Sequence, residues 1–294
     1  MEEVLRKTEN DLKGFFVLDQ IHNIRYPIIL IYADDILIIA CNKEQLDKLL
    51  PVLKKHLEEV NLKLNAAKTK IIVRTPTGEA PASMSVDGCT YVVSMELDYL
   101  GVTITDRLCR RKTSKSRCIK AIRSSKAVIA FAKENQPSVE IGSLLYKSII
   151  SPTMTYGSQV SVITKHTRKS MRKYERQIVE ELASCCTEKD STPTGEQILG
   201  GKTVTKKIRA LQMRYWGHII RMEDNHLLKL AAKYKKSYRK RGRPSFTWVD
   251  IIRQNVDRFG DLSLGEWEDL ARDKEKVTRK IEEIYDKPES TDSD

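Results

Sequence analysis

The sequence predicts an α+β protein: a β-rich N-terminal part gives way near residue 106 to an all-helical, basic remainder. Three observations carry this reading. Strand-length runs of β-branched and aliphatic residues recur up to Ile104, bounded by turn residues. From Arg107 to Lys133 the chain holds ten Lys or Arg residues and no acid. Beyond that segment, apolar residues recur at intervals of three and four, the period of a helix with one buried face.

The elements follow in order. Glu2 to Leu12, with Val4, Leu5 and Leu12 apolar, reads as the end of a helix. Gly14 to Leu18 reads as a strand. Tyr26 to Ala40 reads as a β-hairpin, two apolar runs flanking Ala33-Asp34-Asp35 with both arms buried. Asn42 suits a helix N-cap. The helix after it has an apolar face at Leu46, Leu49, Leu50, Leu53, Leu57 and Val60, with Pro51 expected to kink or restart it. Leu62 to Arg74 is a turn entering a strand. Thr75 to Ser83, with Pro76, Gly78 and Pro81, is a loop. Asp87-Gly88 between β-prone residues is a hairpin signal, and Glu96 to Ile104 closes the β-rich part. Helical faces follow at Ile119, Ile122, Val128, Ile129 and Phe131, then at Ile141, Leu144, Leu145 and Ile149. Further ones lie at Met171 to Leu182, Val204 to Ile219, Val249 to Phe259 and Trp267 to Ile284. Ser263 with Glu266 forms a capping box for the last. The expected division is 1–106, 107–200 and 201–294, ending in an acidic tail.

At 294 residues the chain can bury a sizeable core, and its formal net charge of +12 points to a polyanionic partner. No apolar run is long enough to span a bilayer, and the N-terminus lacks a signal core, so no membrane partner is expected. Six cysteines, at 41, 89, 109, 118, 185 and 186, form no Cys-x-x-Cys pair. Reduced thiols in an intracellular protein, nuclear or cytoplasmic, are the expectation.

Three motifs carry chemistry. The first is Tyr32-Ala33-Asp34-Asp35. Two adjacent carboxylates between apolar strands repel each other and lose water unless a cation sits on them. Hard Mg²⁺, held by carboxylates and substrate phosphates, is the usual answer. A solvated turn is the alternative for any isolated Asp-Asp pair; the apolar arms favour the metal. The second motif is Asn65-Ala-Ala-Lys68-Thr69, where a lysine beside a developing pyrophosphate can stabilise charge or donate a proton. The third is Tyr99-Leu100-Gly101.

In this order and spacing the three motifs resemble the reverse transcriptases of non-LTR (LINE-like) retrotransposons. Leu145-Tyr-Lys-Ser-Ile-Ile-Ser-Pro152 to Tyr156-Gly157 resembles that family's thumb segment. Arg214-Tyr-Trp216-Gly-His218 and Arg241-Gly-Arg-Pro-Ser-Phe-Thr-Trp248 resemble its downstream elements. The resemblance implies a partial polymerase palm followed by a helical thumb. It makes Asp34 and Asp35 catalytic metal ligands for Mg²⁺ or Mn²⁺, Lys68 a candidate acid, and Tyr99, Leu100 and Gly101 a primer grip. The implied partners are an RNA template, a DNA primer and, in the intact enzyme, dNTPs. The family's upstream strand with a third Asp, its Gln-Gly loop and its fingers would precede Met1. The metal site is therefore expected to be incompletely liganded and the chain alone inactive. Asp19 lies too near Asp34 to stand in for the missing residue.

The basic half has its own reading. Arg107, Arg110, Arg111, Lys112, Lys115, Arg117, Lys120 and Arg123 suit a template–primer backbone, though a solvated helix face would look similar. Lys240, Arg241 and Arg243 form a second patch, whose Arg-Gly-Arg-Pro core resembles an AT-hook; a plain basic loop fits equally. Trp216, Trp248 and Trp267 sit in helical patterns and are expected in the core rather than stacked on bases. The alternative function is a non-catalytic nucleic-acid-binding protein derived from a retroelement.

Overall fold

The computed structural model describes residues 1–12, 17–19, 24–26, 29–75, 79–106, 110–188, 191–233, 247–260 and 262–286. The fold is α+β and divides into two compact units, Met1–Cys109 and Arg110–Asp294. In the first unit α1 (Glu2–Asp11) precedes two antiparallel hairpins. One pairs β1 (Val17–Asp19) with β2 (Ile24–Tyr26), the other β3 (Ile29–Tyr32) with β4 (Asp35–Ile38). Then come α2 (Lys43–Glu59), β5 (Lys70–Ile71), β6 (Ser83–Val86), β7 (Cys89–Val93), β8 (Glu96–Tyr99) and β9 (Val102–Thr105). Strand β7 pairs parallel with β5 and antiparallel with β6, and β8 and β9 form a further hairpin.

Helix α2 organises this unit. Asn42 caps it, its side-chain oxygen accepting from the Gln45 amide at 2.8 Å. Leu49, Leu53 and Leu57 bury against Val4, Leu12 and Ile29. Leu50, one residue round the helix, packs instead on Val86 and Tyr91 of the β6–β7 hairpin. Pro51 does not restart the helix, which runs unbroken from Lys43 to Glu59. Pro51 is exposed, so its ring lies on the solvent side, and the leucines hold the helix closed through packing. The Asp87-Gly88 turn forms with φ of 49° and 69°, both positive as a type I′ hairpin turn requires.

The second unit is helical. It contains α3 (Arg110–Asn135), α4 (Val139–Leu145), a π-helical turn (Tyr146–Ile150) and α5 (Ser151–Thr155), the last three continuous. After them come α6 (Lys165–Ala183), α7 (Gly195–Leu199), α8 (Val204–Ile220), α9 (Leu227–Lys233), α10 (Trp248–Phe259), α11 (Leu264–Ala271) and α12 (Lys274–Asp286). No helix among the described residues is long and apolar enough to cross a membrane.

Helix α8 is buried on most sides. Val204 and Ile208 join one core with α3 to α7, while Met213, Trp216 and Ile219 join another with α10 to α12. Its first turn ends on a buried carboxylate. The Val204 amide donates to Glu175 Oε1 at 2.6 Å, and the Tyr146 hydroxyl donates to the same oxygen. Burial, then the charge of Glu175, push the Tyr146 phenol far above its ordinary range.

Two helices differ from the sequence expectation. In α4 and the π-helical turn, Ile141, Leu144 and Ile149 are exposed, while Val139, Gly142, Ser143, Tyr146 and Ile150 face inward. Gly142 is the reason. A Cβ there would stand 2.7 Å from Cys186 Sγ and 2.8 Å from Ile198 Cδ1, so backbone itself fills the core. In α3 the buried face is mostly small: Cys118, Ala121, Ser125, Val128, Ile129 and Ala132, with Ile119 and Phe131 left exposed. Burial raises the Cys118 thiol to about 11. Trp216 and Trp267 are buried and Trp248 is half-buried, its indole N–H donating to the Gln159 carbonyl at 2.9 Å, so all three serve packing. The Ser263–Glu266 capping box forms.

Gly142→Ala is expected to lose about 1–3 kcal/mol through overpacking. Glu175→Ala is expected to lose more, about 3–5 kcal/mol, because two buried donors lose their acceptor. Urea denaturation of each variant measures both.

Candidate functional site

Each unit carries one candidate site. In the first unit it is built on the β3–β4 hairpin. Tyr32 pairs with Asp35 and Ile29 with Ile38, leaving Ala33 and Asp34 as a two-residue turn. Ala33 sits at φ 53°, left-handed backbone that a non-glycine residue rarely adopts. Tight primed turns of this kind suit the right-handed twist of the flanking strands. Asp34 therefore occupies the turn and Asp35 opens β4, both exposed.

Both arms contribute to the core as expected, but each is buried on one face only. Ile29, Ile31, Ile36 and Ile38 pack in the core with α1 and α2. Leu30 and Tyr32, which alternate with them, are exposed, as is Asp35, which pairs with Tyr32; Leu37 is half-buried. Period-two alternation explains the split. An uninterrupted apolar run reads as a doubly buried strand, yet here it supplies one packed face and one open face.

The β8–β9 hairpin holds Tyr99 beside its own tight turn. Leu100 at φ 48° and Gly101 at φ 72° both have left-handed backbone, and Tyr99 pairs with Val102 across the ladder. The structure brings Tyr99 within electrostatic reach of Asp35. Burial raises the Tyr99 phenol and the negative charge of Asp35 raises it further. Two motifs more than 60 residues apart in the chain thus influence each other electrostatically. Lys68 is not drawn into that group. Its amide donates to the carbonyl and the side-chain oxygen of Asn65, at 3.1 and 3.2 Å, and the Thr69 hydroxyl donates to the same carbonyl at 2.8 Å. The Asn-x-x-Lys-Thr spacing thus closes one turn ahead of β5, and the Lys68 side chain stays exposed.

In the second unit the candidate is the outer face of α3. Lys112, Lys115, Lys120, Arg123 and Lys126 are exposed and recur so that they lie opposite the buried Ser114, Cys118, Ala121 and Ser125. From Lys112 to Lys126 this row extends along about 21 Å of the helix. Arg117 lies at the flank, its guanidinium 4.2 Å from the ring centre of the exposed Tyr156. That cation–π pair was not legible in the sequence, because its partners belong to different helical segments. The side chains of Arg110 and Arg111, and the whole Lys240, Arg241 and Arg243 patch, lie outside the described residues.

Residues 1–104 match the reverse transcriptase (RNA-dependent DNA polymerase) family.

That stretch contains both hairpins and the Asn65–Thr69 turn. Over 265 residues the chain is also 23% identical to an uncharacterized transposon-derived protein of Caenorhabditis elegans, covering 83% of this chain and 91% of that protein. No solved structure matches. Both findings agree with the resemblance read from the motifs, at the level of a reverse-transcriptase-like sequence and a relative of transposon origin.

The Tyr99 phenol is expected to titrate above its ordinary value of about 10 and to fall back part of the way in Asp35→Asn, burial accounting for the rest. Spectrophotometric titration of the chain minus its Tyr99→Phe variant measures this. A folded-state value above the unfolded one means that the stabilisation is complete below about pH 10 and is lost as pH rises through the folded value. Tyr99→Phe should therefore flatten the alkaline limb of stability against pH.

Proposed function

We propose that the chain is the palm and following helical portion of a reverse transcriptase from a non-LTR, LINE-like retroelement. In this reading it binds nucleic acid through the exposed face of α3 and carries the Asp34–Asp35 pair of the polymerase site. The observation that supports it best is the β3–β4 hairpin itself, with Asp34 in its two-residue turn and Asp35 opening β4, within the stretch that matches the reverse transcriptase family. A tight hairpin turn that presents two carboxylates is the arrangement expected where metal ligands must be held in place.

The donor chemistry bears on what the site can do. Carboxylate oxygens are the ligands that Mg²⁺ and Mn²⁺ take, so Asp34 and Asp35 suit one side of a metal site. In-line phosphoryl transfer between two metals about 4 Å apart needs a larger set. Among the described residues no group of three or more His, Cys, Asp or Glu side chains is placed to hold a metal. The pair present does not make a two-metal centre by itself. That observation also favours a second reading, a retroelement-derived protein that binds nucleic acid without polymerising.

Primer extension by the purified chain on a homopolymer template, with dNTPs and Mg²⁺, is expected to give no synthesis above that of Asp34→Ala. Asp34-dependent product would establish polymerisation and remove the second reading. Binding of a template–primer duplex is expected to survive both EDTA and Asp34→Ala. Replacing Lys112, Lys115, Lys120 and Arg123 by Gln should reduce the log–log salt slope by about 0.9 for each phosphate no longer neutralised. An unchanged slope would take α3 out of the interface.

A further inference from the structure

Helices α1 and α2 both end at one buried imidazole. His56 lies in the last turn of α2 and is 5% exposed. Its Nε2 atom stands 2.9 Å from Asp11 Oδ2, on the last residue of α1. Its Nδ1 atom stands 3.2 Å from Glu59 Oε1, on the last residue of α2. Each ring nitrogen thus faces a carboxylate, one from either helix.

This arrangement favours a charged ring. An ionised carboxylate only accepts hydrogen bonds, so both contacts are hydrogen bonds only when each nitrogen carries a proton. A helix C-terminus presents negative potential, and two of them meet here. The last turn of α1 holds no basic residue of its own to answer it. Glu59 stays ionised, because Lys7 donates to its other oxygen, Oε2, at 2.9 Å and holds its carboxyl below the ordinary range. Loss of one ring proton sets a nitrogen lone pair against a carboxylate at a buried position, which is unfavourable.

The charged groups toward the ring come from α1 and α2. They are Asp11, Glu59 and, behind Glu59, Lys7 with Glu3 3.3 Å beyond it. The β3 and β4 side chains in the adjoining core, Ile29, Ile31, Ile36 and Ile38, do not titrate. Where β6 and β7 reach α2, Lys54 pairs with Asp87 at 2.6 Å, with Cys89 and Tyr91 beside that pair. Lys54 is two residues back from His56 and so on the other side of the helix.

The ring secures the base of the acidic hairpin. Leu12, the residue after Asp11, shares one core with Ile29 of β3 and with Leu49, Leu53 and Leu57 of α2. The Leu12 amide closes α1 by donating to the Thr8 carbonyl at 3.0 Å. Lys7 ties the middle of α1 to Glu59 whatever the state of the ring, so His56 governs the C-terminal turn of α1 rather than the whole helix.

We propose that His56 is a proton-operated latch on this joint. With both nitrogens protonated it fastens the end of α1 to α2. With one proton lost it lets the C-terminal turn of α1 open and loosens the core beneath β3. His56 acts in this way whether or not the chain polymerises or binds nucleic acid.

Hydrogen exchange of the Leu12 amide in the full chain, followed by NMR and corrected for the intrinsic rate, reads the latch directly. It is measured from about pH 5.5 to about pH 8, the span in which imidazole ordinarily titrates. Stability that needs the second ring proton is present at the acid end and lost as pH rises. Protection of Leu12 is expected to fall about tenfold across the span, the loss of one charge-assisted hydrogen bond. His56→Gln should remove the step and leave protection low at both ends. Asp11→Asn, an exposed change, should remove it in the opposite sense. Its amide donates to Nε2 of a neutral ring while Nδ1–H donates to Glu59, so protection stays high at the alkaline end. No step in the parent chain, or a step that survives His56→Gln, overturns the latch. Should His56→Gln not fold, Asp11→Asn decides alone. Protection held at the alkaline end supports the latch; a step of the parent's size, or protection equally low at both ends, overturns it.

Discussion

The second unit depends on one buried charge. Glu175 is 2% exposed, and its Oε1 atom accepts from both the Val204 amide and the Tyr146 hydroxyl. A carboxylate so deep in protein is costly unless every oxygen is engaged. Here it meets the first turn of a helix, where free amides and the helix dipole both favour negative charge. The arrangement ties three segments to one atom: α6, which carries Glu175, the π-helical turn, which carries Tyr146, and α8. Since α8 runs through both cores of the unit, its starting point sets the register for everything packed on it. The Arg214-Tyr-Trp216-Gly-His218 stretch serves the far end of the same helix. Trp216 is buried, Gly217 allows close approach to Ala271 and Val277, and Arg221 donates to the Ala271 carbonyl at 2.6 Å.

Several local signals in the sequence, each decided by neighbours within four residues, held, although Pro51 did not interrupt its helix. Asn42 as a cap, Asp87-Gly88 as a turn and Ser263–Glu266 as a capping box all form as spacing implies. Long-range packing was harder to read. The inward face of α4 is carried by Gly142 and Ser143, and that of α3 by Ala121, Ser125 and Ala132, residues with little hydrophobic weight. Hydrophobic periodicity finds large side chains, whereas close helix packing selects small ones. The exposed Ile141, Leu144 and Ile149 then supply a false face.

The candidate site shows the same division. Tyr32-Ala33-Asp34-Asp35 is read directly, because a two-residue turn between apolar runs has few other solutions. The influence of the Asp35 charge on Tyr99 is a tertiary effect that neither motif contains alone. The cation–π pair of Arg117 with Tyr156 is likewise assembled from separate helical segments. Composition announced only that positive charge would be abundant. It could not distinguish an exposed row such as Lys112 to Arg123 from a cation buried within the unit, such as Arg209 at 6% exposure. These two forms of the same charge behave differently toward a ligand: one is screened by salt, the other by geometry.

The one-sided burial of the β3–β4 hairpin has a bearing on how the chain behaves in a tube. Among the described residues each strand of this ladder pairs only with the other. Leu30 and Tyr32 stand exposed on its open face. Apolar edge strands of this kind are templates for intermolecular pairing, and natural sheets usually blunt them with charge, proline or a covering element. Asp34 and Asp35 are acids at the tip of the ladder, placed where mutual repulsion works against a second copy docking in register. Neutralising them, by substitution or by acid, removes a solubility device along with the negative charge of the turn.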